Sequence, residues 1–561
     1  MKKTGVIIVL LMLAAAPFLP ALKAGFTNWD DNRLVTGNPD LNGLNLANIG
    51  AMFSRQVNGT YIPLTELSFA LEKKLFGLDP FFYHLDNIIL HGLNAVLVLL
   101  LISMLTGDRM AAFCAALLWA AHPLRVESVV WVTERKDVLY GLFFLISLCA
   151  YLNWRKIGVR RYYVFSIISF ALAGLAKGTA VTLPLVLLLA DWRERGKVSK
   201  EDLLNKLPYL ALAVPIIAAG IQAQQSPNPE LHGQMPLGLE NIFIACHNLI
   251  FYLSKTAWPS NLSIYYPYPR LNQGWLPAAF LAAPLAAAGL GWLLAYSLRR
   301  SREAVFWSLF FALTALPILQ FKRLLGEAVA ADRYIYIPAI GLFCLLILGL
   351  RRLFRKFSLK QALPAVSIAL YLPLTLVSWQ QSRIWHDDIS LWTSLVRQQP
   401  GLELPYYKRA VAYAQRKDFP RAVSDFKRVV EINPNFSSNF NNLASAYGSW
   451  GQQDSAIAYL NQAIAIKPSD PEYYKNRAIA YALNGRLGEA VNDFTQAIGL
   501  KPDYAEAFNG RAVALLTLGE YQGAFNDILK ARELGFSVDP GLYDRISRAA
   551  QKPKQLGAKS K

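Results

Sequence analysis

Apolar runs recur along this chain from Val6 to Trp379, and their length constrains the fold more than any other feature. An α-helix needs about 20 residues to cross about 30 Å of hydrocarbon, and lipid admits only segments whose backbone groups are paired internally. The sequence therefore predicts an all-α, polytopic membrane body. Spans are expected near 4–24, 85–105, 110–121, 138–154, 162–176, 179–192, 207–223, 274–297, 303–321, 334–350 and 362–379, eleven in all, with neighbouring helices shielding the ends of the shorter ones. The stretch 241–257 is broken by His247 and Lys255 and followed by Trp258-Pro259, so a re-entrant or interfacial helix on the outer side is expected there.

Basic residues in short loops stay on the cytoplasmic side during insertion. Lys2 and Lys3 place the N-terminus inside. The loops with Arg155, Lys156, Arg160 and Arg161, with Arg193, Arg195, Lys197 and Lys200, with Arg299, Arg300 and Arg302, and with Arg351, Arg352, Arg355 and Lys356 then fall on the same side. An odd number of spans sends the C-terminal part outside. Much of the net charge of +19 is thus a topology signal, and nucleic acid need not be invoked. The basic, apolar start resembles a secretory signal, but the run is long and Lys23 spoils the small-residue cleavage pattern, so a retained anchor is expected. Cys114, Cys149, Cys246 and Cys344 lie in apolar segments without metal-ligand spacing and read as packing residues.

After about residue 400 the chain becomes soluble, amphipathic helix and repeats with a period of 34. Tyr406, Phe440, Tyr474 and Phe508 share one register; Ala410, Ala444, Ala478 and Ala512 share another. Ala422, Ala456, Ala490 and Ala524 form a third, and Pro434, Pro468 and Pro502 a fourth. Small residues let paired helices approach, aromatics fill the groove between them, and proline ends each unit: the tetratricopeptide pattern. The last unit departs from it, with Leu515 where tyrosine stood and Phe536 in place of proline, as a terminal cap would. Such a stack presents a surface for peptides or partner proteins but carries no catalytic group.

Chemistry must then come from the membrane part. The predicted outer loops, Phe26 to His84, His122 to Asp137, Lys177, and Lys322 to Arg333, concentrate acids and cations on one side. Asp30-Asp31 is either a general base at the bilayer surface or a solvated helix exit or N-cap. Arg135, Lys177 and Arg333 are candidate phosphate contacts, or else anchors and salt-bridge partners. His84, His122, Glu127, Asp137 and Asp332 are placed as supporting residues. His84 and His91 lie on one helical face, where packing or hydrogen bonding is expected over metal ligation, and His122 before Pro123 suits a helix cap. Tyr265, Tyr266 and Tyr268 read as an interfacial belt rather than a sugar-stacking platform. No metal site is assigned, though room is left for a divalent metal. Together these parts suit sugar transfer from a lipid phosphate, in which a carboxylate deprotonates the acceptor hydroxyl and cations offset charge on the departing phosphate.

Several motifs carry a resemblance: Phe26-Thr27-Asn28-Trp29-Asp30-Asp31, Tyr61-Ile62-Pro63-Leu64-Thr65, Tyr83-His84-Leu85-Asp86-Asn87 with Leu90-His91, His122-Pro123 with Val126-Glu127-Ser128, Glu134-Arg135-Lys136-Asp137-Val138-Leu139, and Ala331-Asp332-Arg333-Tyr334-Ile335-Tyr336-Ile337-Pro338. With the repeat tail, the chain resembles the transmembrane and tetratricopeptide-repeat-containing proteins over nearly its whole length. That family is similar to GT-C class glycosyltransferases, whose eukaryotic members are O-mannosyltransferases using dolichyl-phosphate mannose and carry the catalytic acid in the first outer loop. The resemblance implies a base at Asp30 or Asp31, with Asp30 favoured. In the second loop it carries over to Arg135 and Asp137 but not to Glu134 or Lys136, where eukaryotic relatives more often have Gly and Ala.

The expected organisation is a GT-C-like membrane domain over 1–400 with a first outer loop 25–84, four tetratricopeptide repeats over 403–536, and a capping segment and basic tail over 537–561. The expected function is transfer of mannose or another hexose from a polyprenyl-phosphate carrier to a hydroxyl, as on protein Ser or Thr, at the non-cytoplasmic face of a bacterial inner membrane. The repeats would lie on the periplasmic or external side and recruit the protein acceptor or a partner. The alternatives are a non-enzymatic membrane-anchored scaffold for an envelope complex and an oligosaccharide ligase or polymerase.

Overall fold

The computed structural model describes residues 3–57, 59–224, 238, 240–269, 276–298, 301–320, 328–359 and 361–551. Glu327, Arg299, Arg300 and the basic tail beyond Gln551 lie outside the described residues. The chain divides into two compact units, Met1–Leu391 and Trp392–Lys561.

In the first unit a helix occupies each of the eleven apolar stretches, and their punctuation follows local chemistry. Asp79 and Asp108 accept backbone N–H groups at the starts of Pro80–Thr106 and Arg109–Ala121. Gly107, Gly158 and Gly196 stop Pro80–Thr106, Arg135–Ile157 and Leu183–Arg195 in the left-handed conformation that glycine alone adopts without steric cost. Six of these helical segments are long and apolar enough to cross a membrane: Thr4–Lys23, Pro80–Thr106, Val132–Ile157, Lys200–Ala223, Ala278–Tyr296 and Ala362–Ile384. These mark a membrane protein. The other five expected spans fall short by length or charge; Arg109–Ala121 has 13 residues and is followed, across a 64° bend, by Pro123–Val130. At 1.5 Å per residue a 13-residue helix covers roughly 20 Å. The apolar run is broken there by His122-Pro123, which ends one helix and starts a short turn. The stretch expected to be re-entrant forms Glu240–Ala257, which is not among the six.

The start of the chain packs into this unit. Leu10, Ala14, Phe18 and Ala21 are buried, Tyr371 donates to the Leu13 carbonyl at 2.9 Å, and Ser382 donates to that of Pro17 at 3.2 Å. Cys114, Cys149 and Cys344 are buried free thiols and Cys246 is half-buried.

In the second unit four antiparallel helix pairs follow one another: Glu403–Gln415 with Phe419–Ile432, Ser437–Ser449 with Gln453–Ile466, Pro471–Leu483 with Leu487–Leu500, and Ala505–Leu518 with Tyr521–Glu533. The alanines of the repeating registers, Ala410, Ala444, Ala478, Ala512 and Ala422, Ala456, Ala490, Ala524, are all buried between paired helices. A further helix, Pro540–Gln551, closes the stack by burying Ile546 against Ala512, Leu515, Ala524 and Ile528.

Candidate active site

The two aspartates that share a motif do not share an environment. After the apolar start the chain turns at 28–30 and winds into Asn32–Thr36, with the Asp30 carbonyl accepting from the N–H groups of Arg33 and Leu34. Asp31 points inward. One of its oxygens accepts from the Thr27 N–H at 2.8 Å and the Thr27 hydroxyl at 2.9 Å, and the other accepts from the Thr133 N–H at 3.2 Å. It ties the first outer loop to the second. Burial pushes its carboxyl up to about 6 against the pull of these donors. Asp30 is half-buried and lies within electrostatic reach of Lys136.

Around Lys136 stands a dense group of charges. Lys136 meets Glu134 at 3.0 Å; Glu134 also meets Arg333 at 3.1 Å; Arg333 reaches Glu127 at 3.3 Å and donates its backbone N–H to the same carboxylate at 3.0 Å. Lys177 pairs with Asp137, whose other oxygen accepts from Ser128 at 2.9 Å. The Arg333 guanidinium lies 5.2 Å from the Trp131 ring and 5.0 Å from that of Tyr334. Asp332 accepts from Tyr266 at 3.0 Å, and burial, with Glu127 close by, holds its carboxyl well above the ordinary range.

Long-range contacts position this group. The 3₁₀ turn Asp332–Ile335 follows strand Ala328–Ala330, which pairs with Tyr266–Pro267 and is held by Asn248 through the Val329 carbonyl at 2.9 Å. Arg125, fully buried, and Trp119 donate to the Tyr336 carbonyl at 2.6 and 2.9 Å. Gly141 lets the Tyr336 ring in, since a Cβ there would lie 2.8 Å from Cε1. Lys177 sits in extended backbone between Arg160–Ala176 and Gly178–Thr182.

Other predicted residues go elsewhere. Arg135 turns to the first outer loop, donating to Asn87 at 2.9 Å and the Tyr83 carbonyl at 2.8 Å and pairing with buried Glu72, whose carboxyl burial raises to about 7. Its partners are not those of Lys177 and Arg333. His84 is buried beside the backbone of Gly25 and Val130. His122 accepts the Leu124 N–H at 3.3 Å, as a cap does, and His91 bonds Tyr336 at 2.8 Å and the Ala120 carbonyl at 3.0 Å. Among the described residues no three His, Cys, Asp or Glu side chains converge on a metal position. The cations of this group are Lys136, Lys177 and Arg333.

Residues 405–436, 437–470 and 477–535 match models of the tetratricopeptide repeat. The chain is 26% identical over 440 residues to human protein O-mannosyl-transferase TMTC1, covering 69% of the chain and 49% of the relative. To mouse protein O-mannosyl-transferase TMTC3 it is 26% identical over 480 residues, 76% of the chain and 51% of the relative. It is a homologue of these transmembrane and tetratricopeptide-repeat-containing proteins. The chain spans about half the length of the curated relatives it matches. Among solved structures, MamA is similar at 20% identity and a TM-score of 0.25, covering 26% of this chain and 85% of MamA.

The match reaches well beyond the repeats. The resemblance read from the sequence carried over Arg135 and Asp137 and left Glu134 and Lys136 aside. Both stand in the centre of the charged group. Tyr266, expected at an interfacial belt, is turned inward by strand pairing and meets Asp332. A signal for Glu134 and Lys136 was present: four consecutive ionisable residues opening a long apolar helix are costly to place there without partners.

Proposed function

We propose that this protein is a membrane glycosyltransferase that moves a hexose from a polyprenyl-phosphate carrier to a hydroxyl of a protein acceptor at the non-cytoplasmic face. One observation carries the reading: the half-buried Asp30 lies within electrostatic reach of Lys136, which belongs to one charged group with Arg333 and Lys177. Asp30 takes the proton of the acceptor hydroxyl, whose oxygen bonds to the anomeric carbon. The bond from that carbon to the phosphate oxygen breaks, and the carrier phosphate leaves with the electron pair. Lys136, Lys177 and Arg333 offset the charge that gathers on it. Asp31 acts by holding the loop. The names of the homologous O-mannosyl-transferases support mannose and a protein acceptor, and the repeats, as protein-binding modules, suit acceptor recruitment.

The test is transfer from radiolabelled polyprenyl-phosphate mannose to Ser/Thr peptides by the full chain in vesicles. Asp30→Asn should lower the rate about 10²- to 10⁴-fold, the range of a lost general base. Wild-type transfer in that variant would reject the assignment, and a wild-type chain inert with every carrier-linked sugar would leave a scaffold.

A further inference from the structure

The loop that carries Asp30 is held from a stretch that none of the sequence motifs covers. The last long apolar helix, Ala362–Ile384, lies against the start of the chain, where Tyr371 and Ser382 reach the carbonyls of Leu13 and Pro17. The segments that follow these two helices, 24–31 and 385–388, run together. The Gly25 N–H donates to the His386 carbonyl at 3.0 Å. The Trp29 ring stacks on that of buried Trp385, with planes 10° apart and centroids at 6.5 Å. The Asn28 N–H donates to a carboxylate oxygen of Asp388, 360 residues further along, at 2.6 Å.

Asp388 opens the helix Asp388–Gln398, and its neighbour Asp387 already serves that helix's first turn by accepting the Ser390 N–H at 2.8 Å. Asp388 is thus the acid turned to the loop, and a carboxylate that accepts a backbone N–H makes a short, strong hydrogen bond. Two bonds to distant parts of the chain now bracket Asp30. Asp388 takes the N–H of Asn28 before it, and Asp31 after it takes the N–H of Thr133 at 3.2 Å. A general base works within about 2.6–3.2 Å of the atom whose proton it takes, and a loop residue keeps such a place only when its backbone is tied down.

We infer that Asp388 is a positioning residue for the transfer reaction: by fixing the backbone of Asn28 it sets the distance from the Asp30 carboxylate to the acceptor hydroxyl. It acts through the loop and not on either substrate. The inference rests on the transferase reading and adds to it a residue that lies beyond the last apolar helix of the membrane unit.

Hydrogen–deuterium exchange of the full chain in detergent micelles, read on peptides spanning 25–31, tests the anchor without transfer. A hydrogen bond to a charged acceptor predicts that the Asn28 N–H exchanges about 10- to 100-fold more slowly in the wild type than in Asp388→Ala. Asp388→Asn keeps an oxygen for that N–H and should restore the protection. In transfer from polyprenyl-phosphate mannose, Asp388→Ala should lower kcat about 10- to 100-fold, the range for a reacting group displaced by about 1 Å, and Asp388→Asn should recover most of the rate. Affinity for bare polyprenyl phosphate should stay unchanged in both variants, because Lys136, Lys177 and Arg333 are untouched. A wild-type kcat in Asp388→Ala overturns the assignment, and so does a carrier affinity that falls along with the rate, which is what general loosening would give. Protection of the Asn28 N–H in the wild type is read without any variant, so the proposal can still fail if Asp388→Ala does not fold: exchange at the rate of an unstructured amide overturns it. The two readings separate on the same preparations. Transfer by the wild type, with neither exchange nor rate changed in Asp388→Ala, removes Asp388 alone. A wild type inert with every carrier-linked sugar, with the exchange difference present, keeps Asp388 as the anchor of this loop and removes the transferase.

Discussion

Arg409, Arg477 and Arg511 in the repeats and Arg333 in the membrane unit carry the same guanidinium and use it differently. Each repeat arginine forks onto a single aspartate sixteen residues on, at 2.6–2.8 Å through two nitrogens, and gives its remaining nitrogen to a neutral oxygen sixteen residues back. Charge is matched one to one and each guanidinium nitrogen has a partner. Arg333 is shared between Glu127 and Glu134, has Asp332 next to it in sequence, and leaves a buried carboxylate oxygen without a donor. Closed pairs of this kind hold helices together, whereas an unbalanced group has capacity left for something outside the protein.

The largest stability change that would break this comparison is expected at Arg333. Replacing it by Met leaves Glu127 and Glu134 facing one another without their shared cation, and removal of one partner from a buried ion pair costs about 3–5 kcal/mol. The apparent thermal midpoint of the purified full chain should fall by several degrees and donor binding should fail. A midpoint within a degree of wild type would show that the group is wet and screened, and that its charges are no more strained than those of the repeats.

Asp31 sharpens the contrast through pH. Its carboxyl sits at about 6 in the folded chain against 3.8 in its ordinary state, so folding takes up a proton between those values. The sign follows: its contribution is most favourable below about pH 4 and is lost as pH rises through 6. Two pH units of such a shift correspond to about 3 kcal/mol. Asp31→Asn should therefore flatten the decline in thermal midpoint between pH 4 and 6. Glu66 and Glu72, both raised to about 7 by burial, should keep the decline between pH 5 and 7 in that variant. An unchanged profile from pH 4 to 6 would mean that the three donors around Asp31 keep it ionised throughout.

The two units were also unequally legible from sequence. The repeats could be read residue by residue because their contacts recur locally, and every alanine of two registers is buried where the period of 34 places it. The membrane helices were legible as apolar stretches, but whether thirteen residues after Asp108 cross or bend depends on His122-Pro123 and on neighbours far along the chain. Asp30 and Asp31 are indistinguishable as letters. What separates them is the Thr133 N–H, 102 residues away, which captures one and leaves the other within electrostatic reach of Lys136. Distance along the chain likewise hid the partners of Arg135, which are Glu72 and Asn87, and the place of Glu134 and Lys136 in the charged group.

The smallest expected effect lies in the repeats, where the sequence already contains the control. At the register of Arg477 and Asp493 the second repeat carries Leu443 and Tyr459, which share one apolar cluster. A buried or half-buried ion pair is often replaced by apolar residues of similar size at little cost, while breaking it from one side leaves an unpaired charge. Arg477→Leu alone should thus cost about 1–2 kcal/mol, given side chains only 19% and 9% exposed. Adding Asp493→Tyr should recover most of that loss in denaturant unfolding of the full chain followed by a probe in the repeats. If the double replacement were as damaging as the single one, the arginine would be doing more than closing a helix pair. The repeats would then hold an open charge of the kind found around Arg333.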